Sequence, residues 1–161
     1  MITSQNGIDL IKSFEKCLLT AYNDGANIWT VGWGATTYQD GKKVRPGDTV
    51  TQQQADELFL YHLRAKEAVV NRLLKVTLLQ QEYDAYASFV YNTGGMYMDK
   101  SGKYVPYNII SYKGLGRSNQ LIYTAWLNTA ITAGGVKMGG LVKRRLAEAE
   151  MFLNGKLMLH S

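Results

Sequence analysis

The chain has 161 residues, of which 46% are hydrophobic and 19% charged, and only two are prolines. This composition excludes a disordered tail and is sufficient for one domain with a substantial core. Eighteen Lys and Arg residues against 13 acidic ones give a net charge of +5, which favours nucleic acid, anionic lipid or bacterial wall polymers as partners.

Three kinds of partner or cofactor are disfavoured by what the sequence lacks. The basic residues are scattered and accompany no motif that reads DNA or RNA, so no nucleic-acid partner is expected. No apolar run is long enough to span a bilayer and residues 1–7 form no basic leader, so we expect no stable membrane insertion. Cys17 is the only cysteine and His62 and His160 lack partners at metal-ligand spacing, so neither a disulfide nor a metal site is predicted.

The first predicted element is an amphipathic helix over residues 8–19. A helical wheel places Glu15 inside its apolar arc, beside Ile8, Ile11 and Leu19. A carboxylate held against apolar surface resists ionisation, so we expect a raised pKa for Glu15, as a general acid requires. A Glu15 that turns outward or forms a structural ion pair is the alternative, and this helix alone slightly favours that alternative.

The next segment, residues 20–50, predicts a small β-hairpin region. Glycines alternate with aromatic and β-branched residues, and Asp24-Gly25 and Asp40-Gly41 are typical turn dipeptides. Asp24 follows Glu15 after eight residues and Thr30 follows after five more, so helix, turn and strand are expected to converge on one pocket. Glycoside hydrolysis uses a protonated acid and a second carboxylate, which Glu15 and Asp24 would supply. Without that context Thr30 is an ordinary strand residue.

The rest of the chain predicts helices. Thr51 and Gln54 form a capping-box pattern at the start of a long helix that ends near residue 74. Glycine-rich stretches separate the further helices, which are expected near residues 80–92, 119–132 and 140–153.

This order of elements predicts an α+β fold in a single domain over residues 1–161. A small β-hairpin lobe, about 20–50, is joined by a linking helix, about 51–74, to a larger helical lobe. The larger lobe comprises residues from about 75 to 161 together with the N-terminal helix 8–19. A ligand site is expected in a cleft between the lobes.

Several segments resemble the phage lysozymes, the endolysin muramidases of the T-even-phage type. Glu15, Asp24 and Thr30, within FEKCLLTAYNDGANIWTVGWGATT, resemble the Glu, Asp, Thr triad of that family of glycoside hydrolases. The resemblance continues in QQEYDAYASFVYNTG (80–94), at Trp126 and in GGLVKRRLAEAEMF (139–152), so it extends over nearly the whole chain.

The resemblance implies a lysozyme-like fold and hydrolysis of the β-1,4 bond between N-acetylmuramic acid and N-acetylglucosamine in peptidoglycan, without any cofactor. Glu15 would protonate the glycosidic oxygen, and Asp24 and Thr30 would position water for an inverting displacement. It also implies a monomer that is held in the host cytoplasm before release and then acts on the wall in the periplasm.

Two further residues take roles from the same resemblance. Asn92 falls where the family places a substrate-binding residue, with capping of a helix end before Gly94 as the alternative. Arg144 matches the position of the ion-pair partner of the catalytic Glu, although the helical wheel places Arg145 nearer the apolar arc. Such an ion pair would lower the pKa of Glu15 and so oppose the rise in pKa that burial causes.

The chain departs from the family pattern at three places. Ala35 replaces a His after the Gly-x-Gly strand, and Asn27, which tolerates a positive φ, replaces a turn glycine. Residues 96–118 fit the family poorly and are expected either to extend the substrate groove or to form a mobile surface loop.

Two rival functions remain open at this point. A lytic transglycosylase would use the acid but not water, and Asp24 and Thr30 argue against it. An antibacterial toxin or a wall-binding module on the same fold would share the basic charge.

Overall fold

The structure is a computed structural model that describes residues 1–161, and it contains six helices and three two-stranded antiparallel sheets. The predicted α+β class with small antiparallel hairpins is confirmed. None of the helices combines the length and apolar character needed to cross a bilayer. The elements, in chain order, are α1 (Gln5–Phe14), β1 (Leu18–Asn23), β2 (Trp29–Gly32), α2 (Gln52–Leu73), α3 (Gln80–Thr93), β3 (Met96–Met98), β4 (Tyr104–Pro106), α4 (Asn108–Gly114), α5 (Asn119–Trp126), β5 (Thr132–Ala133), β6 (Val136–Lys137) and α6 (Gly139–Asn154).

The chain divides into two compact units. The smaller unit comprises residues 15–65, and the larger one comprises residues 1–14 and 66–161. The boundary falls within α2, so this one helix contributes to both units.

The smaller unit is organised by the antiparallel pairing of β1 with β2, in which Tyr22 lies opposite Thr30. Side chains alternate between the two faces of a strand. Trp29 and Val31 therefore lie on the face that packs into a small core with Val44, and Thr30 lies on the opposite face.

The end of β2 packs closely on α2. Gly32 has a φ of +61°, and a β-carbon at this position would lie 3.2 Å from the Cβ of Ala55. Glycine is required there by both the backbone conformation and the close approach. One residue later, the indole of Trp33 donates a 2.7 Å hydrogen bond to Oδ1 of Asp56 on the same helix.

The larger unit has a core of aromatic side chains around α3. Trp126 is fully buried, and its ring centroid lies 4.8 Å from that of Tyr86 and 5.2 Å from that of Phe152. Glu148 is also fully buried, and its carboxylate accepts hydrogen bonds from Ser88 Oγ at 2.7 Å and from Trp126 Nε1 at 3.1 Å. A buried carboxylate is tolerated only when it is paired and hydrogen-bonded in this way.

The prediction of a helix over residues 8–19 is wrong at both ends, because α1 runs from Gln5 to Phe14. Its first turn forms on Ser4, whose carbonyl accepts from the amide of Ile8 at 3.0 Å. Leu18 and Leu19 belong to β1 instead, where Leu18 pairs with Gly32 and the carbonyl of Leu19 accepts from the amide of Val50. Two leucines near the end of an apolar pattern fitted the helical period but take part in a strand.

The helix expected over residues 119–132 is also too long, because α5 ends at Trp126. Ala130 has a left-handed φ of +51°, which no α-helix accommodates. Residues 132–133 then pair with residues 136–137 across a turn made by two glycines with positive φ, Gly134 and Gly135. The other predicted helices are found at close to their predicted bounds.

Residues 96–118 contain regular secondary structure, and an extension of the substrate groove by this segment stays a prediction. They fold as the β3–β4 hairpin followed by α4. The hairpin turn is closed by Asp99, whose Oδ1 accepts from the amides of Ser101 and Lys103. The ring of Tyr97 packs against that of Tyr107, with their centroids 4.9 Å apart. These contacts give the segment a regular structure that the sequence comparison with the family did not indicate.

The capping box at the start of α2 is confirmed. The hydroxyl of Thr51 accepts from the amide of Gln54 at 3.1 Å, and the side chain of Gln54 accepts from the amide of Thr51 at 2.8 Å. We expect Thr51→Ala to lower the free energy of unfolding by about 1 kcal/mol, because a helix amide loses its acceptor. Thr51→Ser keeps the hydroxyl and is the matched control. Equal urea midpoints for the two variants would contradict a stabilising role for this cap.

Candidate functional site

Glu15 lies in the bend that directly follows α1, not inside a helical apolar stripe. The sequence-based argument for Glu15 placed it inside the apolar arc of a helix, and this is wrong because the helix ends at Phe14. Its side chain is half-buried. Oε2 lies 3.8 Å from the point where a β-carbon on Gly34 would be, so the carboxylate stands beside a position that has no side chain.

Asp24 lies at the end of the β1–β2 hairpin, in a loop that is closed by its own side chains. Oδ1 of Asp24 accepts from the amides of Ala26 at 2.8 Å and Ile28 at 3.2 Å. The side chain of Asn23 accepts in the same way from the amides of Gly25 and Asn27.

These bonds fix the direction of the Asp24 carboxylate, although the residue is exposed. Asn27 has a φ of +59°, which confirms the prediction that it takes the place of a turn glycine.

Thr30 is buried, with 5% of its surface exposed, and it lies on the face of the hairpin that it shares with Tyr22. Directly opposed residues of an antiparallel pair have neighbouring side chains on one face. The strand register therefore makes the side chains of Thr30 and Tyr22 neighbours on one face of the hairpin.

Tyr22 connects the two carboxylates, and the sequence analysis did not single it out. Burial raises the pKa of its phenol above the ordinary value, and the negative charges of Glu15 and then Asp24 raise it further. Both carboxylates therefore lie within electrostatic range of the same phenol. The available signal was its position two residues before Asp24 in a strand, opposite Thr30, but this pairing requires knowledge of the register.

Glu15, Asp24 and Thr30 thus belong to one compact unit, arranged around one hairpin with Tyr22 among them. Two carboxylates, one half-buried and one exposed, together with the hydroxyl of Thr30 on one face of the hairpin, are groups suited to proton transfer and to the positioning of water. The structure contains no cluster of three or more His, Cys, Asp or Glu side chains that is suited to hold a metal ion.

The two other predicted site residues, Asn92 and Arg144, belong to the larger unit. Asn92 is exposed, and its Oδ1 accepts a 2.8 Å hydrogen bond from Arg145. The alternative of a helix cap at Asn92 is wrong, because Gly94 caps α3 by donating to the carbonyl of Val90. A substrate-binding role for Asn92 stays a prediction.

Arg144 is buried, with its Nε 3.2 Å from Oε1 of Glu148. Arg145 is fully buried and contacts the other oxygen of Glu148 at 2.9 Å. Burial lowers the pKa of Arg145, and the charge of Glu148 opposes this effect. The pairing of Arg144 with Glu15 stays a prediction.

The position of Tyr22 gives a direct test of this geometry. We expect Glu15→Gln to lower the pKa of the Tyr22 phenol, because a negative charge that opposes its ionisation is removed, and to leave it above the ordinary value, because burial is the larger cause. The phenol is titrated by NMR of its ring carbon. Asp40→Asn, which removes an acidic side chain elsewhere in the same unit, should leave the titration unchanged. Identical titration curves for the unmodified protein and Glu15→Gln would show that the two side chains are not neighbours.

Comparison with known proteins gives consistent matches over most of the chain. The profile of the Phage lysozyme family matches residues 12–148. The endolysin of Acyrthosiphon pisum secondary endosymbiont phage 1 is 32% identical over 152 residues, which cover 94% of this chain and 98% of that protein. The endolysin of Bacillus phage PZA is 33% identical over 96% of this chain, which spans only 56% of that longer protein.

Among solved structures, the endolysin of Escherichia coli O157:H7 phage FAHEc1 matches with a TM-score of 0.82 and 31% identity, covering 98% of this chain and 97% of that one. The order of helices and hairpins, the segments that surround Glu15, Asp24 and Thr30, and the extent of these matches lead to one conclusion. The chain belongs to the phage lysozyme family.

Proposed function

We propose that the chain is an endolysin that lyses its host by hydrolysing the β-1,4 bond between N-acetylmuramic acid and N-acetylglucosamine in peptidoglycan. The observation that carries the proposal is the arrangement around Tyr22. The negative charges of Glu15 and Asp24 both raise the pKa of its phenol, and Thr30 lies opposite Tyr22 in the hairpin. Family membership and the net charge of +5, which favours an anionic wall, support it. The reaction uses side chains alone and needs no cofactor.

In this mechanism Glu15 is the general acid. Its carboxylic proton passes to the glycosidic oxygen as the bond between that oxygen and C1 of the muramic acid breaks. Gly34 places no side chain beside the carboxyl group, and the sugar ring is proposed to lie on this side of Glu15. Proton donation to the leaving oxygen lowers the barrier because the sugar then departs as a neutral alcohol.

Asp24 and Thr30 are proposed to direct the water that attacks C1. Oδ1 of Asp24 is committed to the amides of its own loop, which leaves Oδ2 to accept a hydrogen bond from water. The hydroxyl of Thr30 would form a second hydrogen bond with the same water, either as donor or as acceptor. As the water oxygen bonds to C1, a proton of the water passes to Oδ2 of Asp24. Attack from the face opposite the leaving oxygen would invert the configuration at C1.

We also propose a monomer that is made in the host cytoplasm and acts on the wall in the periplasm. Relatives described as SAR-endolysins, from Escherichia phages N15 and 933W, are 40% identical over about half of this chain.

The role of Glu15 is tested by the variant Glu15→Gln. Its amide has no acidic proton to donate, so we expect lysis of purified walls to slow by a factor of at least about 100, with unchanged folding by circular dichroism. Glu57→Gln alters an exposed carboxylate of the same unit and is the matched control, with lysis near that of the unmodified protein. A Glu15→Gln variant that clears wall suspensions at a near-normal rate would rule out Glu15 as the acid.

Mass spectrometry of the products separates hydrolysis from lytic transglycosylation. Hydrolysis adds one water to each cleaved bond and leaves reducing muramic acid ends, which is the expected result. Digestion in ¹⁸O-labelled water should place one label at C1 of each new reducing end. Products that end in anhydromuramic acid, without label, would instead show lytic transglycosylation, in which the muramic acid forms an intramolecular ring without water.

The second alternative is a wall-binding or toxin module without this activity. It predicts binding to walls that weakens with salt but no loss of turbidity. The same wall suspensions therefore decide between this alternative and the proposed hydrolysis.

A further inference from the structure

The smaller unit contains a cavity of about 380 Å³ that the proposed reaction does not use. It lies between residues 27–29, at the start of β2, and residues 36–44. Its volume falls within the range of about 300–1,000 Å³ that is typical of small-molecule sites. We refer to it below as the Trp29 cavity.

The Trp29 cavity combines apolar and polar side chains. Ile28, Trp29 and Val44 provide its apolar surface. Asn27 and the two hydroxyls of Thr36 and Thr37 provide neutral hydrogen-bonding groups, and Lys43 provides a positive charge. An apolar surface with a few convergent polar groups is the usual composition of a ligand site.

Lys43 is the charged group of this cavity, and the structure shows no ion pair for it. Its neighbour Lys42 differs, because Nζ of Lys42 lies 3.2 Å from Oδ2 of Asp40. The two lysines are adjacent and both exposed, but only Lys43 lines the cavity. The cavity therefore favours a ligand that carries a negative charge.

The Trp29 cavity shares a loop with the candidate catalytic residues but lies on the other face of the hairpin. Asn27 and Ile28 belong to the loop that Asp24 closes, and the amide of Ile28 donates to Oδ1 of Asp24. Trp29 directly precedes Thr30, and consecutive strand residues point to opposite faces. A ligand in the cavity would therefore contact the same loop as Asp24 without occupying the position of the reacting bond.

A larger cavity of the same unit, about 470 Å³, has the opposite charge. It is lined by the carboxylates of Asp48 and Glu57 together with Tyr38, whose hydroxyl donates to Oδ2 of Asp48 at 2.8 Å. Two carboxylates would repel an anionic wall polymer. Of these two cavities, the one that contains Trp29 is suited to an acidic ligand.

We propose that the Trp29 cavity is a second saccharide subsite that binds a sugar ring carrying a carboxylate, the chemistry of N-acetylmuramic acid. The face of the ring would pack on Trp29 and Ile28, since an aromatic side chain offers a large apolar surface. The amide and hydroxyl groups would bind the hydroxyl and acetamido groups of the sugar, and Lys43 would pair with the carboxylate. This subsite rests on the proposed function, because it identifies the substrate as the anionic wall glycan.

The experiment uses monosaccharides, which contain no bond for the enzyme to cleave. N-acetylmuramic acid is titrated into the unmodified protein, and binding is followed by the NMR signals of the Trp29 indole and the Lys43 amide. N-acetylglucosamine, which has the same ring without the carboxylate, should bind more weakly. Lys43→Gln should weaken binding of N-acetylmuramic acid by about threefold and leave binding of N-acetylglucosamine unchanged, because only the charge pair is lost.

Lys42→Gln is the matched control and should change neither affinity. The proposal is overturned if Lys43→Gln leaves both affinities unchanged, or if N-acetylmuramic acid shifts no signal of the cavity. It is also overturned if glycerol 3-phosphate binds as tightly, since the site would then recognise an anion and not a sugar.

Lysis of walls is measured separately on the unmodified protein. Lysis without binding in the cavity rejects the subsite alone, whereas binding without lysis rejects the proposed hydrolysis and leaves the subsite standing.

Discussion

The register of the β1–β2 hairpin is the constraint on which the candidate site depends. Pairing of Tyr22 with Thr30 places both on one face, while Val31 is buried on the other. Because side chains alternate along a strand, a slip of one residue would move Thr30 into the small core and expose Val31. The same apolar packing that stabilises the smaller unit therefore also fixes the position of the Thr30 hydroxyl relative to the two carboxylates.

Features of the fold that are encoded by a few neighbouring residues were predicted correctly from the sequence. The capping box of Thr51 and Gln54 and the positive φ of Asn27 are examples, since each depends on contacts within a single turn. The end of α1 was missed because Leu18 and Leu19 continue a helical pattern, and only their partners in the folded chain make them a strand. The short β5–β6 pairing was missed for the same reason.

Only part of the candidate site was predicted from the sequence. Glu15, Asp24 and Thr30 were identified by resemblance to a family, but the physical argument for Glu15 rested on a helix that ends one residue earlier. Tyr22 was not identified because its importance comes from proximity to Glu15 and Asp24, which no spacing rule reveals. Burial and charge act together on this phenol, and both are properties of the folded unit.

The loop that carries Asp24 is closed by residues 23–28 alone. Asn23 and Asp24 each bind amides two and four residues ahead, so backbone shape and carboxylate direction are set by the same few bonds. Such a segment is self-contained, and substitutions in either core can accumulate without redirecting the carboxylate. One inserted or deleted residue between positions 24 and 26 would instead put the amides of Ala26 and Ile28 out of reach together. The loop therefore tolerates changes around it far better than changes in its length.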